Sequence, residues 1–137
     1  MKKTILLFVF GLLAIGSFAQ HSSLEDQAAQ ATAELTERYQ LNAEQATKML
    51  YIQQTRLHNI ASVAELEASD PQTYIKKMKS IQSGMETSVQ MLLDEEQVKV
   101  FYNELIKRRQ RQADLARKMQ DEGATPQQIE LALVNME

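Results

Sequence analysis

Two adjacent acid pairs, Glu95-Glu96 and Asp121-Glu122, and two histidines, His21 and His58, are the side chains best suited by type to proton transfer or metal binding. Their spacing argues against both. Neighbouring residues on a helix point about 100° apart, so neither acid pair converges on one proton or one ion. The sequence holds no His-x-x-x-His and no Glu-x-x-His, and His58 has Arg56 rather than a carboxylate within a turn. Zero cysteines exclude a thiolate nucleophile, a disulfide and a cysteine zinc site together. No glycine-rich phosphate loop and no histidine–nucleophile arrangement occurs. The expectation is a protein that is not an enzyme, with no catalytic residue, no cofactor and no dedicated metal site.

The other charged feature is the run Lys107, Arg108, Arg109, Arg111, Arg117 and Lys118. Lys107, Arg111 and Lys118 share the face opposite the apolar stripe, where three- and four-residue charge pairs are common and weak. The chain carries a formal net charge of −3, so nucleic acid, whose phosphates need a basic excess, is not an expected partner. Arg109 falls in the apolar sector with Tyr102 and Ala116. Either it snorkels at a rim or that sector opens to water. Methionines at core spacing fill irregular gaps or form a soft surface that re-packs around partners. Together these readings nominate Met49, Met78, Met85, Phe101, Leu105, Arg108 and Arg109 as a surface for an adaptable protein partner.

The elements that must position these residues are helices. Glutamine, glutamate, alanine, lysine, arginine and methionine dominate, all good helix formers, and nothing alternates like a strand for long. At the N-terminus, Lys2 and Lys3, the apolar run Ile5 to Gly16 and then Ser17-Phe18-Ala19 have the three parts of a secretory signal, with the cut expected after Ala19. Twelve residues at 1.5 Å each reach about 18 Å, short of a roughly 30 Å hydrocarbon core. Residues 1–19 are therefore expected to be removed, leaving 20–137 as one helical domain with no stable membrane insertion. Loss of the two lysines makes the product still more acidic.

Ser22 and Ser23 are candidate caps for a first helix from about Leu24 to Tyr39. Further helices are expected over about 43–68, 71–92 and 95–122, with a short one over about 126–136. Asp70-Pro71 and Thr125-Pro126 mark two starts and Gly123 a stop. The expected fold is all-α, with four to five helices in antiparallel hairpins and an elongated outline.

Two of the helix starts share one pattern. Leu41-Asn42-Ala43-Glu44-Gln45 and Leu93-Asp94-Glu95-Glu96-Gln97 are each a leucine, a capping side chain, a variable position, a glutamate and a glutamine. Asn42 and Asp94 can accept from orphan amides of the first turn, while Gln45 and Gln97 reach back to close a capping box. The chain here resembles the Spy/CpxP family of periplasmic proteins, whose hallmark is a twice-repeated Leu-Thr-x-x-Gln. The threonines are replaced by Asn42 and Asp94, and Phe101, Leu105 and Lys107-Arg108 continue the second copy as in that family. The resemblance covers roughly Leu35 to Arg111. It implies a periplasmic helical homodimer shaped like a shallow cradle, holding unfolded or partly folded proteins without ATP. Relatives acting as partners of an envelope stress sensor, or responding to metals, supply the alternative. The acidic balance and the segment after Pro126 depart from the family.

Overall fold

The computed structural model describes residues 22–136; the signal-peptide reading and His21 lie outside them. The described chain is all-α, as expected, with helices α1 (Leu24–Tyr39), α2 (Ala43–Val63), α3 (Leu66–Ser69), α4 (Pro71–Leu92), α5 (Glu95–Asp121) and α6 (Pro126–Val134).

Local chemistry explains most of these boundaries. Ser23, Asn42, Asp94 and Thr125 each accept from the backbone amide three residues on, and the residue at that position answers with a bond to the cap's own N–H. Asp70 caps α4 by accepting from Thr73, with Pro71 at the first helical position. At the other ends, Gln40 takes a left-handed conformation (φ 53°) and lets Leu41 N–H reach Thr36 O at 3.0 Å. Gly123 (φ 83°) does the same after α5, with Ala124 N–H reaching Met119 O at 2.9 Å.

One expected helix is broken. The reading over 43–68 is interrupted at Ala64 and Glu65, and the short α3 follows. The turn has no glycine or proline to announce it. Ser62 bonds the Asn59 carbonyl at 2.7 Å, the local side-chain competition that weakens a helix end, and the new direction lays α3 on α4. Gly84, inside α4, marks neither a close crossing nor a tight contact, since a Cβ there would meet nothing within 4 Å.

The backbones of α1 and α2 run close together, as do those of α2 and α4, while α6 folds back onto both α4 and α5. Tyr74 Oη donates to Asn135 Oδ1 at 2.9 Å, Asn135 Nδ2 donates to Glu67 at 2.8 Å, and Lys79 pairs with Glu130 at 2.8 Å. This return draws in the elongated outline that long helices alone would give. By contrast α4 and α5, although joined at the Leu93-Asp94 corner, do not lie backbone to backbone along their length. They are bridged by side chains, among them Gln90 Nε2 to Tyr102 Oη at 2.7 Å. The main core gathers at the corner, from Tyr39, Leu41, Met49, Val89, Leu93 and Phe101. Burying such side chains contributes about 1.5–3 kcal/mol each.

Candidate functional site: a clasped pair of repeats and the cleft beside it

The two repeated boxes meet. Gln45 Nε2 donates to Gln97 Oε1 at 2.7 Å and Gln97 Nε2 donates to Gln45 Oε1 at 3.1 Å. Each oxygen also accepts from its own cap, Asn42 N and Asp94 N, both at 3.0 Å. Each nitrogen also donates across to the loop of the other copy, Gln45 to Leu92 O at 3.1 Å and Gln97 to Gln40 O at 3.2 Å. A primary amide has two donor hydrogens and two acceptor sites; both glutamines use all four. Leu41 and Leu93, the leucines of the pattern, are buried beneath this clasp.

The clasp sets the two halves in a matching register that continues beyond the boxes. At the same 52-residue interval, Met49 corresponds to Phe101, and both are buried in the main core. Gln30 donates to Glu34 at 3.3 Å, and its counterpart Gln82 donates to Glu86 at 2.8 Å. Arg56 corresponds to Arg108, and both are half-buried.

Because α5 stands off from α4, an open cleft of about 760 Å³ lies between the helices, with Asn135 and Met136 also lining it. Its apolar lining includes Leu35, Tyr39, Met85, Val89, Phe101 and Leu105. Its polar lining includes Gln53, Arg56, Glu86 and Arg108. Arg108 forms a half-buried ion pair with Glu86, while its Nε is buried with no acceptor among the described residues. Burial, and then the charge of Arg108, weakens the hold of Arg56 on its proton. Lys107, bonded to Glu104 at 3.0 Å, holds that carboxyl below the usual glutamate range, and the nearby charges of Arg38 and Arg111 add to the effect. Burial pushes the Tyr39 hydroxyl above the ordinary tyrosine value.

Of the nominated surface residues, Met85, Phe101, Leu105 and Arg108 come together in this cleft. Met49 does not join them: it is fully enclosed, with Gln53 donating to its sulfur at 3.6 Å. Met78 is half-buried elsewhere on α4 and Arg109 is exposed outside the cleft. The inward face of α5 keeps Phe101, Leu105 and Ala116 as expected but excludes Tyr102 and Arg109. Steps of three and four from Phe101 lead through Glu104, Leu105 and Arg108 to Gln112, leaving Tyr102 and Arg109 outside. Arg108 takes an inward position, paired there with Glu86.

Sequence reasoning missed Arg56, Glu86, Tyr39 and Gln53 as cleft residues. Extending the repeat interval eleven positions past each motif glutamine would have coupled Arg56 to Arg108. His58 packs its Nδ1 against Gln54 O at 2.8 Å. Among the described residues there is no group of three or more His, Cys, Asp or Glu poised to hold a metal ion. No described helix is long and apolar enough to cross a membrane.

Clasp and cleft together define an all-α protein in which two copies of one capping box meet, with a mixed apolar and charged recess between its helices. Comparison with protein-family models, with curated proteins and with solved structures finds no match.

Proposed function

We propose that this chain is an exported, periplasmic holdase-type chaperone, in the manner of the Spy/CpxP family that its repeated motif resembles. It would act as a homodimer and hold partly unfolded proteins without ATP. The observation that carries the reading is the open cleft, in which Leu35, Met85 and Leu105 share one wall space with half-buried charge. Soft apolar groups shelter a client through many small contacts, and nearby charge keeps the surface from closing on itself. The clasp glutamines have a structural part in this scheme: they are fully occupied with one another, so they hold the cleft walls rather than the client.

The test is light scattering from a reduced or heat-treated client, without nucleotide. Excess protein is expected to delay aggregation, and a Met85→Ser, Leu105→Ser variant that keeps its helical circular dichroism is expected to lose most of that delay. Aggregation at an unchanged rate with excess wild-type protein ends the proposal.

A further inference from the structure

The space between α4 and α5 is filled at one end and open at the other. Towards the clasp it is the cleft, with Met85 and Val89 on one side and Phe101 and Leu105 on the other. Farther along, α6 lies on both α4 and α5, which do not otherwise run backbone to backbone. The two parts are continuous. Steps of three and four carry the inward face of α4 from Val89 and Met85 through Gln82 and Met78 to Ile75. Asn135 and Met136, just beyond α6, line the cleft.

The seat of α6 is better formed than its hold on α6. On α4, Tyr74 and Ile75 are only 5% and 4% exposed, and Ile75 shares a hollow with Pro126 and Glu130. By contrast α6 has no buried residue, and Ile129, Leu131, Leu133 and Val134 are each half-buried. Leu131, Ala132, Leu133 and Val134 are consecutive, so at about 100° each they point all round the axis and the groove covers only part of them. The Lys79–Glu130 tie has side chains 56% and 51% exposed, and ion pairs in such settings hold weakly. A helix of nine residues falls below the roughly 12–15 at which an isolated helix becomes stable in water, so its form depends on its seat.

We infer that the groove between α4 and α5 accepts an apolar helical segment of another protein, and that α6 is a displaceable strap occupying it in cis. The incoming helix lies on Met85 and Leu105 and continues over Ile75 as α6 leaves. A helix fits because it brings its backbone hydrogen bonds with it, as an apolar lining requires. An extended segment needs a sheet edge, and the described residues form no strand. The inference rests on the chaperone reading in taking the segment from a client, and it adds what part of a client is held and what competes with it.

The chain has no cysteine, so Lys79→Cys with Glu130→Cys places one thiol on α4 and one on α6, both outside the cleft lining. A short bis-methanethiosulfonate bridge locks the strap, and reductant frees it in the same full-length molecule. The probe is a fluorescein-labelled peptide with the sequence of residues 125–136, followed by anisotropy. The freed chain should bind it at least about fivefold more tightly than the locked chain, because only an unoccupied groove is competent. The same peptide carrying Leu131→Ser and Leu133→Ser should bind neither form. An untied chain, Glu130→Gln with Asn135→Ala, should bind the unaltered peptide several-fold more tightly than wild type. Equal affinity of locked and freed chains, or indifference to the two serines, overturns the inference. So does a dimer of the freed chain that the lock abolishes, which would make the α6 of a second copy the occupant. Lock-dependent peptide binding by a chain that leaves client aggregation unchanged ends the chaperone reading and keeps the strap. Delayed aggregation that the lock does not alter ends the strap and keeps the chaperone reading.

Discussion

Gln45 and Gln97 show how much a single side chain can fix when every polar atom is used. Gln97→Glu keeps the shape but removes both donors, leaving the Gln40 oxygen unanswered and the Gln45 oxygen with the Asn42 amide alone, both beside a new negative charge. We expect a loss of about 2 kcal/mol at neutral pH by urea denaturation. The carboxylate oxygen that replaces the amide nitrogen faces the Gln40 and Gln45 oxygens, and that repulsion holds the new carboxyl above its ordinary pKa. Its protonated form therefore favours folding, and part of the loss should return as the pH is lowered towards about 4. Tyr39 gives a second titration, at the alkaline end. Burial raises its folded pKa, so its stabilising effect is complete below the unfolded value of about 10 and is lost as the pH climbs through the folded one. The urea midpoint should fall between about pH 9 and about pH 11, and Tyr39→Phe should fall less over that range. If the two midpoints decline in parallel, Tyr39 is not the group responsible. At this scale the motif was legible in the sequence, because a cap and a glutamine three residues later define a local geometry. That the two glutamines bind each other was not legible, since capping rules say nothing about partners 52 residues away.

Helices are the scale at which the sequence speaks most clearly. Five of the six starts carry a capping side chain at its bond, and those chemistries act within a few residues of chain. The exception, α3, has no side-chain cap and was read as the tail of α2. Placing Tyr102 and Arg109 in the inward sector of α5 was the other failure, for a different reason. Apolar residues alone set the phase of an amphipathic helix, and an inward arginine paired with Glu86 is invisible to that count. Two glycines test the elements directly. Gly84 has negative φ and open space where a Cβ would sit, so Gly84→Ala should stabilise the protein by up to about 1 kcal/mol through helix propensity. Gly123 has φ 83°, so Gly123→Ala should destabilise it by about 1–2 kcal/mol, with space irrelevant to the outcome. Thermal melts of both variants would read opposite signs; like signs would contradict the helix boundaries given above.

For the whole molecule, the all-helical fold follows from composition, whereas the cleft does not, because it depends on α5 diverging from α4 while α6 returns to both. Asn135 makes the return specific by accepting from Tyr74 and donating to Glu67. Asn135→Ala should loosen α6 first, seen as faster amide exchange over 126–134 at little cost to α1 and α2. Uniform acceleration across all helices would mean instead that α6 unfolds only with the rest. Scattering with molar mass tests the homodimer that accompanies the proposed chaperone role: twice the chain mass is expected, and a monomer at high concentration would remove it.

The glutamine clasp gives the chain the mechanics of shears riveted at one end and tied near the other by α6. Between rivet and tie, the gap between the two blades answers to side chains alone, so its gape can vary without breaking a backbone hydrogen bond. Whatever enters the opening meets walls whose alignment is set by two amides at the pivot.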